Sequence, residues 1–229
     1  GGTDSVTSVS AGAAAATNDI ASHARAAIED STVNAGGGVT VQANSTATID
    51  SLAFGFAGSV SAGNNGTTAL AGAGSGSGND VANKVEAVVQ NSNVTAGGPV
   101  SITATDTSTI EAVAGSGAVT VAAGSGTNVG VGLGLSITIN QIDNDTLAII
   151  DDSDVSSGGL LSVIASSTTS IDATAWGAAI SVAAGSGGSP VAVSATGAVA
   201  DNSVTNTITA AVKDSNPSST NMVAASGPL

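Results

Sequence analysis

The sequence predicts an all-β protein, and within that class a parallel β-solenoid (β-helix). Three observations carry the expectation. The chain matches itself at a shift of 61 residues, its apolar residues alternate at period 2, and glycine-rich clusters punctuate the alternating runs.

The repeat comes first, because a missed period misassigns the whole fold. Asn18, Asn79 and Asn140 are 61 residues apart and Asn202 follows after 62. Ile28, Val89, Ile150 and Val212 keep the same phase, as do Ser31, Ser92, Ser153 and Ser215. Each of those serines follows an Asp or Asn, at positions 30, 91, 152 and 214. The units run over 18–78, 79–139 and 140–201, with partial copies at 1–17 and 202–229. A chain that begins and ends within a repeat is expected to belong to a longer array, or to stack on copies of itself.

Alternation assigns the strands. From Val129 to Ile139 every odd residue is Val, Leu or Ile and every even one is Gly, Ser or Thr, giving one aliphatic and one minimal face. Asn18–Ile28 alternates too, and Val39, Val41 and Ala43 form a third strand copied at Val100, Ile102 and Ala104. Clusters such as 35–38, 96–99, 123–126 and 184–188 supply the corners. In a solenoid, backbone hydrogen bonds run to the coils above and below at about 4.8 Å. Equivalent positions then stack, so Ile-on-Val columns fill the interior and the asparagines form a polar column whose amides bond along the axis. A weaker echo at 21 residues (Ile28 to Ile49, Val89 to Ile110, Ile150 to Ile171) predicts about three coils of some 20 residues per unit.

Composition narrows the function. The 229 residues include Lys+Arg 3, Asp+Glu 17, His 1 and no Cys, for a net charge of -14. Three basic side chains cannot neutralise a phosphate backbone, which excludes nucleic-acid binding, and an anionic membrane surface repels such a chain. Membrane insertion is not expected, since a transmembrane barrel needs aromatic girdles and Phe54, Phe56 and Trp176 are the only aromatics. With 41% apolar residues and only 9% charged, disorder is excluded as well.

A phrase of the form N-x-[IV]-x-[NS], then A-x-[IV]-x-[DN]-S-x-V-x-A-G-G-x-V-x-[IV]-x-A, then I-[DE]-A recurs between Asn18 and Ser215. It resembles the repeat arrays of giant bacterial surface exoproteins: filamentous-adhesin and leukotoxin-type autotransporter passengers, filamentous-haemagglutinin-like. The resemblance implies secretion to the exterior or cell surface, a parallel β-helix, and a role in adhesion or extracellular structure. It carries no catalytic residues.

Candidate sites are few. His23 is the lone histidine, and its repeat equivalents are Lys84, Asp145 and Thr207; a column that varies so freely is a surface column, and serine-type chemistry lacks its base. Asp143, Asp145, Asp151, Asp152 and Asp154 are the best metal ligands, hard oxygens suited to calcium if a turn gathers them. The bland alternative is a solvated edge that resists aggregation by charge. Asp50, Glu111 and Asp172 recur as repeat positions and not as the unique carboxylate pair a glycosidase needs. The aromatics fill a corner void or stack on sugar rings. No cofactor other than calcium is suggested, and no enzyme is expected. The expected function is an extracellular structural protein forming a filament or stalk by stacking of coils, with itself as partner, head to tail or laterally. The alternative is an adhesin rod that binds glycan through one face.

Overall fold

The computed structural model describes residues 5–226, which form strands and turns with no helix. A first circuit comprises β1 (Val6–Ile20), β2 (His23–Glu29), β3 (Thr32–Ala35) and β4 (Val39–Gly63). The second is β5 (Thr67–Val81), β6 (Lys84–Gln90), β7 (Asn93–Ala96) and β8 (Val100–Gly124). In the third the strands merge into β9 (Asn128–Asp151) and β10 (Asp154–Gly185), and β11 (Val191–Lys213) and β12 (Asn216–Ser226) begin a fourth. β1, β2, β5, β6, β9 and β11 make one six-stranded sheet, and β3, β4, β7, β8, β10 and β12 the other. All pairings are parallel. The architecture is thus all-β with parallel sheets, consistent with a β-helix or solenoid.

The registers correct the expected number of coils. Val6 pairs with Thr67 and Thr67 with Asn128, while Val39 pairs with Val100 and Val100 with Leu161, each 61 residues on. Among the described residues no strand pairs at a distance near 20, so one circuit is one rung, and about three coils per unit is wrong. The 21-residue echo has another origin: Ile28 on β2 and Ile49 on β4 lie in opposite sheets, both turned toward the interior. Between the third and fourth rungs the step is 62, as Val129 pairs with Val191. The added residue sits in the turn, since Gly124 pairs with Gly185 just before it.

Each rung folds at two ends. At one, Asp30, Asn91, Asp152 and Asp214 adopt left-handed φ of 46°, 49°, 48° and 43°, a conformation that Asp and Asn tolerate better than other L residues. This is the corner end. At the other, residues 64–66, 125–127 and 186–190 link one sheet to the next; this is the tip.

The two halves of the blade are packed differently. Toward the corner the interior is aliphatic, with Val85, Ile102, Ile150 and Leu161 fully buried. Toward the tip the inner residues are Ala, Gly, Ser and Thr, such as Ala71, Ala73, Gly134 and Ala118. The sheets close tightly there: a Cβ on Gly55 lands on the carbonyl of Gly74, and one on Gly12 lands on that of Phe56. Consequently the aliphatic face of Val129–Ile139 points outward, and its Gly, Ser and Thr face lines the interior. Leu135 is 60% exposed.

Candidate functional site

Three polar ladders tie the rungs together. Asn18 donates from Nδ2 to Asn79 Oδ1 at 2.7 Å, Asn79 to Asn140 at 2.7 Å, and Asn140 to Asn202 at 2.8 Å. An amide is donor and acceptor at once, so a column of one residue type bonds to itself along the axis. At the corner, the backbone N–H groups of Ser31, Ser92 and Ser153 donate to the hydroxyls of Ser92, Ser153 and Ser215 at 3.1, 3.0 and 3.1 Å. Each hydroxyl in turn donates to a carbonyl two residues back, as Ser92 does to Gln90 at 2.7 Å. The left-handed residue before each serine directs the N–H at the next rung. The aliphatic column Ile28, Val89, Ile150 and Val212 lies just inside this corner.

The third ladder was not anticipated. Asp106 is fully buried. Its carboxylate accepts from Asn83 Nδ2 at 3.1 Å, Asn144 Nδ2 at 2.7 Å, Ser108 Oγ at 3.0 Å and Ser167 Oγ at 3.4 Å. Asn144 Oδ1 also accepts from the backbone N–H of Asn83 at 2.9 Å, where β5 breaks before β6 resumes. The spacing of Asn83, Asn144 and Asn206 by 61 and 62 was the available signal. Asp106 itself gave none, because its column neighbours are Ser45 and Ser167.

Charge is segregated between the halves. Stretches 5–18, 51–79, 112–140 and 173–200 contain no Asp, Glu, Lys, Arg or His, and together they make the tip half of every rung. Both outer faces of that half are apolar. One carries Leu133, Leu135, Ile137 and Ile139, and the other Leu52, Phe54, Phe56, Trp176 and Ile180, all about half exposed or more. The aromatics therefore do not fill a corner void. Phe54 and Trp176 lean toward each other over Gly115, with ring centroids 5.7 Å apart, because a side chain at Gly115 would run into both rings.

The predicted metal ligands do not converge. Asp143 and Asp145 lie on the outer face of β9, Asp151 at its end, Asp152 at the corner and Asp154 at the start of β10. Among the described residues, no group of three or more His, Asp or Glu side chains could hold a metal ion. His23 is on an outer face and stacks on Lys84, Asp145 and Thr207. Glu86 gathers three nitrogen side chains: His23 Nε2 lies 2.7 Å, Lys84 Nζ 3.0 Å and Arg25 Nε 3.5 Å from its carboxylate. Burial alone would raise the Glu86 pKa, but hydrogen bonds from Lys84 and His23 outweigh it and hold the carboxyl below its usual range.

No known protein family, curated protein or solved structure matches this chain.

Proposed function

We propose that the chain is an extracellular structural segment, a β-solenoid of 61-residue coils that builds a filament or stalk through its open edges. The observation that carries this reading is the in-register parallel pairing of successive rungs at steps of 61 or 62 residues. It repeats the asparagine and serine ladders from rung to rung and leaves β4, 25 residues long, paired on one side only among the described residues. Unpaired strand edges are templates for a further rung, and self-bonding amide and hydroxyl columns favour a continuation of the same sequence. Stability then grows roughly as a sum over rungs and their interfaces. The extracellular location is supported by the resemblance to surface exoprotein repeats.

Glycan binding is the weaker reading. The cleft between Phe54, Phe56 and Trp176 offers about 340 Å³, and its one hydroxyl, that of Ser116, is buried and bonded inward to Ser136 at 3.1 Å. Sugar hydroxyls need convergent polar partners, which that cleft lacks.

Negative-stain electron microscopy with fibre diffraction tests the proposal. Unbranched fibres with a meridional repeat of about 4.8 Å are expected at micromolar concentration. Particles that remain single four-rung blades at every concentration would overturn it.

A further inference from the structure

The outer face of the first sheet carries a relief together with its own complement. On β9, Leu133, Leu135, Ile137 and Ile139 stand out of the sheet, 47%, 60%, 46% and 56% exposed. One rung away, β5 places Gly72, Gly74, Gly76 and Gly78 in register with them. A Cβ on Gly72 or Gly76 would meet nothing within 4 Å, and on Gly74 or Gly78 a single atom each, at 4.0 and 3.8 Å. A ridge of branched aliphatics thus runs beside a trough of glycines of equal length.

We infer that this face packs against the same face of a second copy of the chain, each ridge seated in the other's trough. A two-fold axis along the strands reverses the order of the rungs and sets the third rung of one copy over the second rung of its partner. The contact is isologous and closed, and its dry interdigitation is that of a steric zipper. Eleven residues by four rungs present on the order of 700 Å² before relief is counted, close to the ~800 Å² that each partner gives a stable interface.

Lipid fits the same face less well. The open edges of β1 and β11 carry backbone groups that hydrocarbon cannot satisfy, and anionic headgroups repel a chain of net charge -14. The pairing is lateral and independent of growth at the edges.

The test fills the trough. The double variant Gly72→Val/Gly76→Val adds apolar surface where the fold has room. Generic hydrophobic adhesion or lipid binding would therefore rise, whereas a trough that must receive a ridge is blocked. Sedimentation and fibre width are measured for the wild type, this variant and Leu135→Lys, with circular dichroism confirming the fold. Expected are wild-type particles two blades thick, at least tenfold weaker lateral association in both variants, and unchanged fibre growth along the axis. Wild-type particles one blade thick would overturn the inference. So would unchanged or stronger association of the trough variant, or wild-type flotation with phosphatidylcholine vesicles in place of pairing. Loss of fibres with pairing retained would instead count against the filament reading alone.

Discussion

Asn144 Nδ2 lies 2.7 Å from Asp106 Oδ2, a carboxylate held at zero exposure by neutral donors alone. A buried polar group so placed depends on every hydrogen-bond partner it has, because burying it unpartnered is costly. Asn144 also accepts from the backbone of Asn83. Asn144→Ala is expected to cost about 1–3 kcal/mol, the usual range for stranding a buried hydrogen-bonded group. Urea unfolding checks this, and a loss below about 0.5 kcal/mol would show that water replaces the amide.

The thin half gives a paired prediction about glycine. Gly55→Ala drives a methyl into the carbonyl of Gly74 and forces the sheets apart, at about 3 kcal/mol or more. Gly72→Ala meets open space and is expected to be neutral or mildly stabilising, since glycine weakens a strand. Melting temperatures of the two variants should move in opposite directions or differ by several degrees.

Acid should weaken the cation cluster on Glu86. A carboxyl whose folded pKa is depressed below its ordinary 4.5 contributes stability that is present above that value. The contribution fades as pH falls through the lower folded pKa. Glu86→Gln should therefore melt lower than wild type at pH 7, and the two should converge on acidification below pH 4.5. A gap that stays constant across that window would mean that Lys84 and His23 do not stabilise the carboxylate.

Calcium is expected to act only as a screening ion. Asp143 and Asp145 are six or more residues along the strand from Asp151, about 20 Å at 3.3 Å per residue. Titration calorimetry with calcium should show no saturable site beyond what magnesium shows at equal ionic strength. A saturable calcium-specific isotherm lost in Asp152→Asn would reverse this.

The course of the chain was legible where one residue type recurs. Asn18, Asn79 and Asn140 mark the rungs because an amide column requires the same side chain at every level. Alternation in Val129–Ile139 was equally plain, yet it left open which face is inner. That depends on the opposing strand: Gly55 and Gly177 bring backbone so close that only small residues fit inside, and the larger aliphatic side chains go outward. The number of coils was misread because two inward columns on opposite sheets mimic a shorter period. Asp106 stayed hidden, since one buried acid among serine neighbours breaks the column pattern instead of forming it.

The turn at 186–190 absorbs one added residue, yet Val191 still falls opposite Val129 and the strands beyond it keep their pairing through Lys213. Length at the tip is therefore uncoupled from the alignment of the ladders. A peptide grafted between Gly187 and Ser189 should be displayed without disturbing the rungs. In an array of such coils, grafts at successive tips would stand about 4.8 Å apart, a one-dimensional lattice whose spacing is fixed by the backbone and whose cargo is free to vary.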